Sequence, residues 1–351
     1  MKNPPYPYLS ARAAQLSPYV AGLQPTETGW VKLNTNENPY PPSPKVQEAL
    51  RCVDMASLRL YPNSDSAALC TAIAKQQGVY PKNVFCGNGS DEVLAFVYAA
   101  FFAGKTVMMP RISYGFYPVW CEMFDAGSLP ISMNPDFSLH LDSFEGSFGV
   151  ILANPNAPTG IALTLAEIEG IVQRNPHGVV VVDEAYMDFA QVESAVRLTK
   201  RYDNLLVVRT FSKSHSLAGL RVGYAIGNAA RIAELQRVKH SFNSYPVDRL
   251  AQAGALAALD DVDYWAQCRA RIIVTRERTA AQLNELGFQV LPSQANFLFA
   301  GIEDAPKMYE HLYANKILVR HWDQPRIHNY LRITIGTDEE MEALLQCVKQ
   351  Y

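Results

Sequence analysis

The chain has 351 residues, 48% of them hydrophobic, enough to bury a large core and to divide into two domains. No apolar run approaches the roughly 20 residues a membrane helix needs, and a net charge of -3 argues against general binding to nucleic acid or an anionic membrane surface. Any anionic ligand must therefore be met by a local basic cluster.

The chain starts Met1-Lys-Asn-Pro-Pro-Tyr6, without the apolar core of a signal peptide, so a soluble cytoplasmic protein is expected. Cys52, Cys70, Cys86, Cys121, Cys268 and Cys347 lack metal-ligand or redox-pair spacing and are expected to be reduced. The seven histidines show no metal-ligand spacing either, and no metal is expected. The proline-rich Asn38-Pro-Tyr-Pro-Pro-Ser-Pro44 reads as a rigid linker from an N-terminal arm, residues 1–40, to a sheet domain, residues 41–245.

Cys86-Gly-Asn-Gly-Ser-Asp-Glu92 then runs into the periodicity of Val93, Leu94, Phe96, Val97, Ala100 and Phe101, which makes Ser90 the N-cap of a buried helix. The glycines ahead of it either present N–H groups to a phosphate or form an ordinary turn. Asp91 and Glu92 oppose an incoming dianion. A helix terminus is worth about 0.3–1 kcal/mol, against roughly 1.5–3 for a hydrogen bond to a charged group, so an arginine would have to dominate such a site.

Continuous apolar runs follow at Thr106–Met109, Gly149–Ala153, Val179–Val182, Leu205–Val208 and Val222–Ile226. Such runs suit strands buried on both faces, hence an α/β fold whose mostly parallel sheet is covered by helices. The link from Val208 to Val222 leaves little room for a crossover, so the last strand is expected to be antiparallel. Asn154 and Asn156, Asp183, and Lys213 follow three of these runs. Ligands of open α/β sheets bind beyond the carboxyl ends of the strands, so one sheet edge should collect all four.

Tyr114, in Pro110-Arg-Ile-Ser-Tyr-Gly115, can stack on a flat ring or simply pack. Asp183 suits an acid paired with a cofactor's ring nitrogen, or the magnesium-binding acid of a nucleotide hydrolase. The second reading needs a phosphate loop. The nearest match, Ala99 to Thr106, has Ala99 where the first glycine belongs and leads from a helix into a strand, the reverse of what is required. Gly104 reads instead as a helix C-cap. Tyr186 shares the loop of Asp183 and can hydrogen-bond a ring hydroxyl.

Thr210-Phe-Ser-Lys-Ser-His-Ser-Leu-Ala-Gly-Leu-Arg221 is the most informative stretch. Lys213 has the setting of a Schiff-base lysine, with Ser212 and Arg221 able to hold a phosphate beside it. A polar surface turn is the competing reading. His215 is expected to pack near this loop. After Pro246, Ala-rich helical stretches at Leu250–Leu259 and Ile272–Leu286 precede strand-like Asn296–Phe299 and Tyr330–Ile335, which reads as a smaller α+β domain, residues 246–351. Arg320 and Arg332 are anion-anchor candidates in a basic stretch whose Arg326 and His328 are read as solvated.

Taken together, Asn154-Pro-Asn-Ala-Pro-Thr-Gly160, Val182-Asp-Glu-Ala-Tyr186 and Ser212-Lys-Ser-His-Ser-Leu-Ala-Gly-Leu-Arg221 resemble the fold-type I pyridoxal-phosphate aminotransferases. The resemblance runs from Leu33-Asn-Thr-Asn-Glu-Asn-Pro39 to Leu331-Arg-Ile-Thr-Ile-Gly-Thr337. It implies a large domain with one antiparallel strand, a smaller α+β domain joined by the N-terminal arm, and pyridoxal 5'-phosphate as cofactor. It implies that Lys213 forms the Schiff base, Asp183 pairs with the ring nitrogen, and Asn156 and Tyr186 address the ring hydroxyl. Tyr114 would stack on the ring, and Ser90, Asp91, Ser212 and Arg221 match phosphate-binding positions. Tyr61 matches a tyrosine that reaches the neighbouring subunit's cofactor, which implies a homodimer with shared sites. Arg332, Arg320 and Tyr19 match substrate positions. One departure is Ala157, where the family often has a second asparagine.

Within the family the chain is similar to the branch whose amino donor is the phosphorylated amino alcohol L-histidinol phosphate and whose acceptor is 2-oxoglutarate, in histidine biosynthesis. Aromatic amino acids as donors, decarboxylation of a phosphorylated amino acid, and a regulatory module that binds the cofactor without turnover stay open.

Overall fold

The computed structural model describes residues 8–10, 12–146 and 148–351, so the chain start read above lies outside the described residues. Its strands are β1 Val31–Lys32, β2 Val84–Asn88, β3 Thr106–Pro110, β4 Gly127–Ile131, β5 Gly149–Ala153, β6 Val180–Asp183, β7 Leu205–Thr210, β8 Val222–Gly227, β9 Gln289–Val290, β10 Phe297–Gly301, β11 Ile317–Leu318, β12 Arg320–His321 and β13 Tyr330–Thr334. Its α-helices are α1 Pro44–Arg51, α2 Ala67–Gln77, α3 Gly89–Val97, α4 Phe116–Phe124, α5 Leu165–Arg174, α6 Ala229–Phe242, α7 Arg249–Asp260, α8 Val262–Glu285, α9 Ala305–Ala314 and α10 Asp338–Lys349. No described helix is long and apolar enough to cross a membrane.

Seven strands form one sheet in the order β2-β8-β7-β6-β5-β3-β4. Its neighbours pair in parallel except β8, which is antiparallel to both β2 and β7, as the short link before it requires. Along the central strands, alternate residues enter two apolar clusters: Val180, Val182, Leu205 and Val207 on one face, Val181, Leu206 and Val208 on the other. Because both faces are covered, these strands read as unbroken apolar runs, and each fully buried Val or Leu contributes roughly 1.5–3 kcal/mol.

A second sheet, β12-β13-β10-β9, is antiparallel throughout and packs with α8, α9 and α10 around Ile272, Leu298, Leu312 and Leu344. β1 pairs in parallel with β11, tying the segment before Leu33 to this smaller body. Tyr40 enters the smaller core and Val46 the larger one, so the proline-rich stretch spans the two. The expected boundary at residue 246 is corrected. Val247, Ala251, Ala255 and Ala258 pack in the larger core, because the small side chains of α7 let it lie close against α1 and α2.

Candidate active site

The carboxyl ends of β5, β6 and β7 open onto a cavity of about 210 Å³. At one end β2 runs directly into α3, whose first turn carries N–H groups that no helix can satisfy internally. Two glycines make this end possible. Gly89 has φ +78°, and a Cβ there would meet Arg221 Nη2 at 2.5 Å. A Cβ on Gly223 would run into the backbone of Gly89 and Ser90, which cannot swing aside as a side chain can. Gly223→Ala is therefore expected to lower stability by about 1–3 kcal/mol, read as a drop in the denaturant midpoint.

Ser90 lines the cavity but is not the helix N-cap. The helix begins at Gly89, and Asn88 holds the cap position without a side-chain capping bond. Its Nδ2 is drawn instead to Pro246 O at 2.9 Å, while Glu92 Oε2 accepts from the Asn88 N–H at 2.6 Å. Asp91 does not stand bare before an incoming anion either. Its carboxylate accepts from Arg221 Nη2 at 3.1 Å and from the Tyr114 hydroxyl at 3.0 Å. Arg221 also reaches Ser212 Oγ at 3.4 Å, so Ser90, Asp91, Tyr114, Ser212 and Arg221 form one end of the cavity.

Lys213 and Asp183 both line the cavity. Lys213 Nζ donates to Thr35 O at 3.0 Å and lies 5.8 Å from the Tyr186 ring centroid. Burial, helped by nearby Arg332, pulls its amine down to about 8, so near neutrality a useful fraction is uncharged. Asp183 is the last residue of β6 and 5% exposed. Burial pushes its carboxyl up to about 7, against hydrogen bonds from Tyr117 Oη at 3.0 Å and the Ala185 N–H at 3.2 Å. Among the described residues no cation pairs with it, which is an unusual state for a buried carboxylate. Tyr186 packs edge-on to Phe297, and burial raises its phenol, keeping it protonated.

Arg332 and Arg320 are register partners on β13 and β12. Like charges directly opposite in a sheet repel, and of the two only Arg332 is among the residues that line the cavity. Arg332 Nη2 donates to Asn34 O at 2.6 Å, while its Nε is buried without a partner. Arg320 Nη2 donates to Val20 O at 2.8 Å, and both guanidinium groups lie over the Trp322 ring. Tyr19 also lines the cavity, stacked on Phe116 at 4.4 Å and with its ring centroid 6.2 Å from that of Tyr114.

Other expected residues are not brought in. Asn156 Nδ2 donates to Ile112 O and Thr159 Oγ1, both at 3.0 Å, and its Oδ1 accepts from Ser113 Oγ at 2.8 Å, which spends its amide on the loop. Ala157 lines the cavity in its place. Asn154 bonds both polar groups of Leu163 and likewise braces the loop. Tyr61 is 79% exposed, stacked on Tyr245 at 4.6 Å, outside the cavity. Arg326, read as solvated, is exposed yet donates to Met133 O at 2.9 Å and Asn134 O at 2.6 Å, because its guanidinium lies over Phe137 beside them. His215 stacks on Trp265 and against Phe211, as a packing residue does.

Thr35, Asn36 and Glu37 also line the cavity and were missed as site residues. Their segment carries no catalytic signature, and its polar side chains resemble any exposed loop until Leu33 and Asn36 are found buried at 1% exposure.

The sequence profile of the family described as aminotransferase class I and II matches residues 28–348. A histidinol-phosphate aminotransferase of Acinetobacter baumannii (strain SDF) is 50% identical over 350 residues, covering 98% of this chain and 97% of its own. One from Lactococcus lactis subsp. cremoris (strain SK11) is 48% identical over 340 residues, covering 96% and 95%. The crystal structure of histidinol-phosphate aminotransferase from Sinorhizobium meliloti in complex with pyridoxal-5'-phosphate superposes with a TM-score of 0.83 at 24% identity, covering 91% of each chain.

Proposed function

The chain belongs to the aminotransferase class I and II family, and from that premise we propose that it uses pyridoxal phosphate to move the amino group of L-histidinol phosphate to 2-oxoglutarate. The observation that carries this reading is that one cavity is lined by both Lys213, whose amine burial pulls down to about 8, and Asp183, a buried carboxylate with no cation paired to it among the described residues. A protonated ring nitrogen is the cation such a carboxylate fits. The cofactor, when bound, supplies an electron sink for charge developing at the substrate's α-carbon.

The chain's own residues then divide the work. Arg221, Ser212 and the N–H groups opening α3 would hold the cofactor phosphate, with Asp91 keeping Arg221 in place. Asp183 would hold the proton at the ring nitrogen, Tyr114 would face the ring, and Tyr186 would donate to its hydroxyl oxygen. Lys213 would carry the cofactor and, once displaced, accept a proton at the α-carbon and return it to the cofactor carbon. Arg332, with Arg320 and Tyr19 beside it, would grip the substrate phosphate in one half-reaction and a carboxylate in the other.

Tyr61 would act in a homodimer, reaching the site of a second copy. Its exposed stack with Tyr245, outside its own chain's cavity, supports this. We also place the enzyme in the cytoplasm, a reading supported by six free cysteines.

The test is the visible spectrum of the cofactor-loaded protein during titration with L-histidinol phosphate, without any keto acid. Conversion of the visible band to the shorter-wavelength band of the amine form is expected. A band that ignores this ligand but responds to an aromatic amino acid would move the donor assignment. No visible band after cofactor addition would overturn the reading.

A further inference from the structure

We propose that Asn36 is a positioning residue that turns the Tyr186 hydroxyl into a donor aimed at the cofactor's ring oxygen; this rests on the function proposed above. Asn36 Nδ2 donates to Tyr186 Oη at 3.0 Å. A phenol has one proton and accepting lone pairs, and an amide nitrogen can only donate, so this contact occupies a lone pair and leaves the phenol proton free. Among the described residues no acceptor takes that proton. Both groups line the same cavity, where a ring oxygen is the partner that proton lacks.

The amide cannot easily turn over. Thr334 Oγ1 accepts from the Asn36 N–H at 2.9 Å, and among the described residues its own proton has no acceptor but Asn36 Oδ1 at 3.0 Å, which places the oxygen on that side and the nitrogen toward Tyr186. Asn296 Nδ2 donates to Asn36 O at 3.0 Å. The residue is 1% exposed and sits at φ +56°, a left-handed backbone that asparagine tolerates better than most side chains. Thr334 lies two positions beyond Arg332 on β13, so the strand that carries the anion grip also sets the phenol. With Asn156 turned into its loop and Ala157 offering a methyl, Tyr186 is left as the one side chain of the expected pair able to address the ring oxygen.

The experiment is a pH titration of the visible band in the cofactor-loaded wild type, Asn36→Gly, Tyr186→Phe and the double variant. Glycine accepts the left-handed backbone and keeps both main-chain hydrogen bonds. Asn36→Asp, which keeps the side-chain shape, serves as a second variant, and denaturant midpoints check that each is folded. Removing a donor from an anionic oxygen eases its protonation, so Tyr186→Phe and Asn36→Gly should each raise the titration midpoint, by roughly one unit. In the Tyr186→Phe background, Asn36→Gly should add nothing, because it acts through the phenol. A midpoint unmoved by Asn36→Gly, or moved equally in both backgrounds, would overturn the inference while leaving the role of Tyr186 standing. A midpoint unmoved by Tyr186→Phe would overturn that role, and the inference with it.

Discussion

Lys213→Ala is expected to remove the covalent attachment of pyridoxal phosphate and to lower transamination by about 10⁴-fold or more, since one side chain supplies both the anchor and the proton-transfer base. The structure leaves no substitute. Lys213 Nζ sits on Thr35 O, with the cavity on its other side, and Lys32, the other lysine of that neighbourhood, is engaged with Thr35 and Glu37. The check is single-turnover kinetics together with the visible spectrum, and turnover within tenfold of the wild type would refute the assignment. A second consequence needs no turnover. The amine is held at about 8 by burial and by Arg332, so the rate at which the unloaded protein takes up the cofactor should rise with pH and level off above that value, not near 10.5. Arg332→Met removes the second of those two influences and should move the inflection upward.

Individual residues differ in how far the sequence alone reveals their place. The valines ahead of Asp183 revealed a strand buried on both faces, and Lys213 and Asp183 both reach the cavity predicted for the sheet's carboxyl edge. The sequence does not reveal β4 as a strand, because Gly127 and Pro130 interrupt it, and it escapes the usual penalty for proline by lying at the sheet edge. β2 was hidden because its last residues, Gly87 and Asn88, look like the start of a turn. The residue type of Asn156 does not reveal where its amide points. An asparagine looks like the ligand of any polar ring, and only the path of the loop shows that its amide is spent on Ile112, Ser113 and Thr159. Asn36 was illegible for the opposite reason, since its role depends on Tyr186 and Thr334, both far away in sequence.

Asp183→Asn is the other change of large effect, and it should act in opposite directions on stability and activity. In an unfolded chain this carboxyl titrates near 3.8, whereas in the fold burial pushes it up to about 7. Below the lower value both states are protonated and the group is neutral in stability terms. As pH rises toward the higher value, the unfolded chain releases its proton while the folded one keeps it, so the wild type loses stability relative to an untitratable amide. Above the higher value the loss levels off, with an upper bound of about 4 kcal/mol. Unloaded Asp183→Asn should therefore have a higher denaturant midpoint than the unloaded wild type at pH 8, with the gap closing as pH falls toward 4. The cofactor should reverse this. A buried carboxylate facing a protonated ring nitrogen is no longer unpaired, so loading should stabilise the wild type more than the variant. The same amide, able to occupy the place beside Tyr117 Oη and the Ala185 N–H but unable to carry charge, should lower transamination by about 10³-fold or more. If the unloaded variant is less stable than the wild type at pH 8, the buried Asp183 carboxylate does not cost the fold stability. If it is more stable and still turns over at the wild-type rate, that cost serves some purpose other than holding the proton of the ring.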